Sequence, residues 1–205
     1  MFIDRVDNPI EPLESDLLTK ASIFLSVGGI LVVGVLSQVF DWVDFYRDAK
    51  EDIPLNMPEP RGREVGIHCF LYASHAADKA TRRSQSGILI FINRAPITFF
   101  SKKQNSVETS TFGSEFTACK QAVELVKGLR YKLRMFGIPI EGPASLYCDN
   151  EAVYKNVGIP TSVLNKKMHG ISYHFCREAV ASGTCRIAKS RRTSVEIWKT
   201  PHTRY

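Results

Sequence analysis

The sequence lacks the cysteine spacing of a zinc cluster or a disulfide-linked protein. Its five cysteines are an odd number, none belongs to a Cys-x-x-Cys pair, and each has apolar neighbours. This spacing argues against a zinc site and against a disulfide framework. It favours buried, reduced thiols, and therefore an intracellular protein.

Basic residues are scarce in the first part of the chain, and acidic residues are scarce in the second. Residues 1–60 hold 4 Lys or Arg and 11 Asp or Glu, whereas residues 61–205 hold 23 and 10. The formal charges of the two parts are therefore −7 and +13. A basic domain favours a polyanionic partner such as nucleic acid, although a solvated basic surface would have the same composition.

Residues 21–40 contain no charged side chain. As a helix, a segment of this length would be about 30 Å long, which matches the hydrocarbon core of a bilayer. We therefore predict a candidate transmembrane helix there, in a single-pass membrane protein, with a buried hairpin or helix as the alternative. Residues 1–20 form an acidic leader, and the proline-containing residues 41–62 form a linker.

From residue 63 to residue 200 the pattern is that of an α/β domain, which residues 201–205 follow as a tail. Apolar, β-prone runs predict strands over 65–72, 87–92, 96–100, 144–148 and 184–189. Apolar residues at three- and four-residue spacing predict a long helix over 111–136 and shorter helices over 151–156 and 171–181. This order predicts a mixed five-stranded sheet flanked by helices, with the long helix packed across one face.

Two acidic residues occupy unusual places in this pattern. Asp149 directly follows a short apolar strand, at the edge where open α/β sheets bind their ligands. It would also serve as the N-cap of the next helix. Glu115 falls inside the apolar stripe of the long helix, where a carboxylate is uncommon. The alternative for Glu115 is a favourable interaction with the positive end of the helix dipole.

Several stretches of the chain carry a family resemblance: Asp78 to Gly87, Ser101 to Gln104, Ser114 to Phe116, Leu146 to Asn150 and Tyr173 to Glu178. With them, residues 41–200 resemble the ribonuclease H region of a copia-type retrotransposon Pol polyprotein, the polyprotein that also carries reverse transcriptase. The resemblance implies a ribonuclease H-like fold and hydrolysis of RNA in RNA–DNA hybrids with two Mg²⁺ ions. It implies Glu115 and Asp149 as catalytic residues and metal ligands.

The first strand departs from the family pattern, which ends in Asp-Ala-Asp with the leading Asp as a metal ligand. Residues 72–74 read Tyr-Ala-Ser here. The phenol of Tyr72 cannot replace the carboxylate at neutral pH, because the ordinary pKa of tyrosine is about 10. Asp78 survives on the following loop, where it is a poor substitute, and the last acid of the family aligns loosely with Glu196.

These features predict a fragmentary and degenerate copy, a pseudoenzyme that keeps the fold of a hybrid ribonuclease with little or no activity. Two carboxylates should bind Mg²⁺ only weakly. One alternative is a non-catalytic nucleic-acid-binding module, and another is a membrane-tethered interaction protein anchored by residues 21–40. The predicted nucleic-acid surface comprises seven basic residues: Lys79, Arg82, Arg83, Lys102, Lys103, Lys166 and Lys167.

Overall fold

The computed structural model describes residues 45–159, residue 162 and residues 169–190. Its strands are Ile67–Ser74 (β1), Gln85–Ile92 (β2), Ala95–Lys103 (β3), Ala144–Cys148 (β4) and Cys185–Lys189 (β5). Its helices are Thr111–Met135 (α1), Glu151–Gly158 (α2) and Gly170–Ala181 (α3). Every strand and helix expected between residues 63 and 200 is present, in the expected order.

The acidic leader, the tail and the candidate transmembrane helix at residues 21–40 lie outside the described residues. Within the described part of the chain, no helix combines the length and the apolar character needed to cross a membrane.

The five strands form one mixed sheet in the order β3-β2-β1-β4-β5. β1, β2 and β3 pair antiparallel, and β4 pairs parallel with both β1 and β5. Asn93 has a φ of 55° and opens the tight turn that joins β2 to β3. Because β1 and β4 are neighbouring parallel strands, their carboxyl ends meet at one edge of the sheet. We call this edge the carboxyl edge.

The core lies between the sheet and α1. Alternate residues of β1 are buried, as in a strand with one face covered, and they include Ile67, Cys69 and Leu71. On α1, Phe116 and Val126 belong to the buried stripe that meets them. The helix contacts β1, β2 and β4, which confirms that it packs across one face. All five cysteines are buried and unpaired.

The segment before β1, expected to be a linker, contacts the helices. The carboxylate of Glu51 forms ion pairs with Arg130 and Arg134 on α1. The hydroxyl of Tyr46 lies 2.7 Å from Nδ1 of His174 on α3. Residues 46 and 51 therefore attach this segment to the helical side of the domain.

Candidate functional site

Asn150, and not Asp149, caps the helix that follows β4. The helix α2 is capped by Asn150, whose side-chain oxygen accepts hydrogen bonds from the backbone N–H groups of Ala152 and Val153. These bonds satisfy two of the donors that a helix start leaves unpaired. The N-cap alternative for Asp149 is therefore wrong, and its carboxylate is left at the end of β4.

Glu115 reaches the same place from α1. The hydroxyl of Ser110 caps this helix by accepting from the backbone N–H of Gly113. This cap sets where the helix begins, so that Glu115 lies one turn inside it. The first turn itself contains no acidic residue. The position of Glu115 is thus beyond the N–H groups that would make it a simple dipole partner.

Gln104 fixes the start of α1 to the sheet. Its side chain is buried, with a relative exposure of 1%. The amide nitrogen donates to Ser86 Oγ on β2 at 2.9 Å and to the carbonyl of Ser114 at 2.7 Å. The residue directly before Glu115 is therefore held at a fixed distance from the sheet.

The side chains of Glu115, Cys148 and Asp149 converge. Their ligand atoms, two carboxylate oxygens and the thiol sulfur, all lie within 4.8 Å of one another. In the part of the chain that the structure describes, this is the one group of three or more potential metal-ligating side chains. Glu115 Oε2 and Asp149 Oδ1 are both buried without a hydrogen-bond partner.

This proximity of two acids changes the acidity of Glu115. Burial, and next the negative charge of Asp149, raise the pKa of Glu115 to about 7, against the opposing effect of a hydrogen bond with Asn150. Both causes penalise the ionised carboxylate. A cation placed between the two acids would reverse the penalty, because it would supply the missing counter-charge.

The donor set of Glu115, Cys148 and Asp149 fits one divalent cation. Two buried oxygens that lack partners are costly unless a ligand satisfies them, and carboxylate oxygens are the preferred ligands of Mg²⁺. The fit does not extend to a second ion, since a two-metal site needs further shared ligands.

Tyr72 lies level with Asp149 along the sheet. In the register of β1 and β4, Phe70 is paired with Tyr147, and their rings stack at 4.8 Å. Tyr72 follows Phe70 by two residues, and Asp149 follows Tyr147 by two. The position that the resemblance assigns to a metal ligand is therefore at the carboxyl edge. That Tyr72 borders the two acids stays a prediction.

Two other acids near this edge are engaged elsewhere. Asp78 accepts hydrogen bonds from the backbone N–H of Ala80 and from the hydroxyl of Thr81, and it forms an ion pair with Lys103. Glu151 forms ion pairs with two lysines of its surroundings, Lys155 and Lys189. Glu196, the loosely aligned last acid, lies outside the described residues.

Five of the seven predicted nucleic-acid-binding residues lie at the carboxyl edge. The loop between β1 and β2 carries three of them, the end of β3 carries two, and all are exposed: Lys79, Arg82, Arg83, Lys102 and Lys103. The loop and the strand end are joined by the ion pair of Asp78 with Lys103. Lys166 and Lys167 lie outside the described residues.

Sequence reasoning missed the roles of Gln104 and Asn150. Both belong to stretches that carry the family resemblance, so their presence was visible. Their hydrogen bonds were not, because an amide gives no periodic signal and its partners lie on other elements. Asn150 had a local signal, since asparagine directly before a helix is a common cap.

The chain is similar to two retrotransposon proteins of Arabidopsis thaliana, although no family model matches it. Over 127 residues, 62% of the chain, it is 28% identical to the Retrovirus-related Pol polyprotein from transposon RE1. Over the same length it is 27% identical to the corresponding polyprotein from transposon RE2. The match spans only 9% of either relative.

A solved structure with a similar fold is that of RNase H1 from the halophilic archaeon Halobacterium salinarum. The TM-score is 0.48 at 12% sequence identity, over 63% of this chain and 89% of that one. The mixed five-stranded sheet flanked by helices that the sequence predicts is confirmed. The predicted resemblance to a retrotransposon Pol polyprotein is also confirmed.

Proposed function

We propose that this chain is a ribonuclease H-like domain that binds RNA–DNA hybrid and holds one divalent cation, with little or no cleavage of the RNA strand. The observation that carries the proposal is the pair of buried, unpartnered oxygens, Glu115 Oε2 and Asp149 Oδ1. Two such oxygens in one cluster are unusual unless a cation or a substrate satisfies them. The cluster lies at the sheet edge that also carries the exposed basic residues.

Glu115 and Asp149 would hold the cation, for which the resemblance implies Mg²⁺. When bound, such an ion neutralises charge on a phosphate and lowers the pKa of a coordinated water. The two carboxylates would fix the position of the ion, because one is held on α1 and the other directly after β4. Gln104 keeps the α1 carboxylate in place through its bonds to the sheet and the helix.

The basic residues would bind the hybrid through its phosphates. Lys79, Arg82 and Lys102 are exposed and carry positive charge at the same edge as the two acids. Phosphate contacts position a nucleic acid without reading its bases. We therefore expect affinity that is independent of sequence and strongly dependent on salt.

The expected loss of RNA cleavage rests on the tyrosine at position 72. A phenol does not supply the shared carboxylate that the family pattern places there, so a second ion lacks ligands. Without paired ions, the attacking water and the leaving oxygen are not both stabilised. The non-catalytic binding module and the weakened nuclease thus differ only in the residual cleavage that each would show.

A salt titration of hybrid binding, performed in a metal chelator, tests the binding part of the proposal. With about five phosphate contacts, the affinity should fall by roughly 10²–10³ between 50 and 200 mM salt. Lys102→Gln should reduce the slope of log affinity against log salt by about one. Lys132→Gln should not, because Lys132 is exposed about 25 Å farther along α1 than Glu115. A flat dependence in the unmodified chain would refute a phosphate-binding surface.

A further inference from the structure

We propose that Cys148 is the third ligand of the candidate centre, which therefore prefers a thiophilic divalent cation of the zinc type over Mg²⁺. The inference rests on the proposed function and deepens it, since it names the cation held by the same two acids. Its starting point is the sulfur of Cys148, which lies within 4.8 Å of the carboxylate oxygens of Glu115 and Asp149.

The thiol is buried and only weakly engaged. Cys148 has a relative exposure of 0%, and its sulfur makes one long contact, 3.6 Å, to the carbonyl of Asn150. The cap formed by Asn150 fixes the turn after β4. This turn brings the side chains of Cys148 and Asp149 to the same cluster, although successive residues of a regular strand point to opposite faces.

The three ligand atoms would need to move only slightly closer together to form a zinc site. Zinc bonds are about 2.0–2.2 Å to oxygen and about 2.3 Å to sulfur, which places tetrahedral ligand atoms about 3.5 Å apart. The ligand atoms lie up to 4.8 Å apart, and we expect rotation of the carboxylate side chains on metal binding to shorten these distances. Three protein ligands with a fourth position open is the arrangement of catalytic zinc sites.

The different ligand preferences of Mg²⁺ and zinc explain why this centre should bind zinc more tightly. Mg²⁺ requires near-octahedral oxygen ligands and gives up its water reluctantly, so a sulfur atom contributes little to binding it. Zinc binds thiolate strongly, so a sulfur ligand favours zinc over Mg²⁺. On binding, the metal–sulfur bond forms and the thiol proton leaves to water.

The cysteine spacing, which argues against a zinc site in the sequence, does not exclude a centre of mixed ligands. The absence of Cys-x-x-Cys pairs excludes a zinc cluster built from cysteines alone. Here a single thiol lies beside two carboxylates, one on α1 and one at the end of β4. Such a mixed centre has no short spacing pattern, because Glu115 is 33 residues from Cys148.

Titration of the full chain with Cd²⁺, a spectroscopic substitute for zinc, tests the inference through the ultraviolet charge-transfer band of a cadmium–thiolate bond. The unmodified chain should develop the band at one equivalent. Cys148→Ala should abolish it, whereas Cys185→Ala should retain it. Cys185 is the matched control, since it is a buried strand thiol with 2% exposure outside the cluster.

Asp149→Asn is a second test variant, and unlike Cys148→Ala it does not shorten a side chain of the core. It should keep the band but weaken the Cd²⁺ affinity by roughly tenfold or more, because even supporting residues around metals contribute about 10–100-fold. A tenfold excess of Mg²⁺ should leave the band intact. The inference is overturned if the band persists in Cys148→Ala, if Asp149→Asn binds Cd²⁺ as tightly as the parent, or if no band forms.

The hybrid titration in chelator separates this inference from the proposed function. A chain that binds hybrid with steep salt dependence but gives no cadmium–thiolate band would refute the thiol ligand alone. A chain that gives the band but does not bind hybrid would refute the proposed function and leave the metal centre standing.

Discussion

Asp149 and Asn150 divide two tasks between adjacent side chains. The amide oxygen of Asn150 accepts from Ala152 and Val153, so α2 has its cap. The carboxylate of Asp149 is then left with a buried oxygen that has no protein partner. An acid with a buried oxygen that lacks a partner is a stronger candidate for ligand binding than one that caps a helix.

Removal of the cap should destabilise the domain. Asn150→Ala leaves the first N–H groups of α2 without a side-chain acceptor, and we expect a loss of about 1 kcal/mol in the free energy of unfolding. Urea denaturation measures it. Asp149→Asn is the control and should cost no stability in metal-free buffer. An equal loss in both variants would contradict the division of tasks.

The acidity of Glu115 predicts how stability depends on pH. Its pKa is raised from 4.5 to about 7 in the folded chain, first by burial and then by Asp149. The folded state therefore holds a proton that the unfolded state has lost between these two values. By linkage, the contribution is fully present below pH 4.5 and is lost as the pH rises through about 7.

Glu115→Gln should remove this dependence in metal-free buffer. We expect the variant to unfold at higher urea than the parent at pH 8, and at nearly the same urea at pH 4.5. Glu124→Gln, an exposed change on the same helix, should show the parent profile. A parent chain whose stability does not fall between these pH values would contradict the raised pKa.

The positions of Glu115 and Asp149 were predictable from the sequence, and the position of Cys148 beside them was not. Asp149 follows a strand and Glu115 interrupts an apolar stripe, so both stand out in the sequence. In the sequence Cys148 has only the signal of a core thiol, because its position beside the acids depends on the turn that Asn150 caps. Sequence periodicity carries no information about such a turn.

At the scale of elements, the start of α1 is shaped by a buried pair of side chains. Glu108 and His169 approach to 3.5 Å with side-chain exposures of only 10% and 9%. A Cβ atom added to Gly113 would lie 2.6 Å from Glu108 Oε2 and 3.1 Å from His169 Nε2. Glycine thus allows the loop before α1 and the start of α3 to meet at the helix.

Two glycines of α1 should respond oppositely to alanine. Gly113→Ala should lose about 1–3 kcal/mol of unfolding free energy, because the pair of Glu108 with His169 must move. Gly128→Ala has open space around it and should gain about 0.5–1 kcal/mol from better helix propensity. Thermal unfolding of both variants decides the matter. Stabilisation by Gly113→Ala would contradict the close approach.

The segment before β1 is held by a largely buried ion pair. Glu51 has a side-chain exposure of 13%, and it meets Arg130 of 4% exposure through two hydrogen bonds. Burial alone would raise the pKa of Glu51, but the hydrogen bonds and charges of Arg130 and Arg134 outweigh it and lower the pKa to about 2. The stabilisation is present above pH 4.5 and is lost as the pH falls towards 2.

Glu51→Ala should leave Arg130 buried without its counter-charge. We expect a loss of about 3 kcal/mol in unfolding free energy near pH 7, which should shrink in acid. The exposed neighbour Asp52 provides the control, and Asp52→Ala should stay within about 0.5 kcal/mol of the parent. Equal stability of the two variants would show that the segment is not attached.

Strands and helices were predictable because each has a period that burial imposes. The alternation of β1 and the apolar stripe of α1 both appear in the sequence. The attachment of Glu51 had no such signal. It lies in a stretch with prolines and acids that favoured a linker, and its arginine partners are about 80 residues away.

At the scale of the whole molecule, the sheet order places acids and bases at one edge. The pairing of β1 with β4 brings the end of each strand beside the other. The antiparallel pairing of β2 and β3 carries the basic loop and the lysines to that same edge. A polyanion attracted by the bases would therefore meet a cation held by the acids.

The missing carboxylate of β1 makes the central claim open to a direct measurement, which is Mg²⁺-dependent cleavage of the RNA strand in a labelled RNA–DNA hybrid. The unmodified chain should cleave little or not at all. Tyr72→Asp with Ser74→Asp should recover cleavage, and the further change Asp149→Asn should abolish it. Robust cleavage by the unmodified chain would contradict the account.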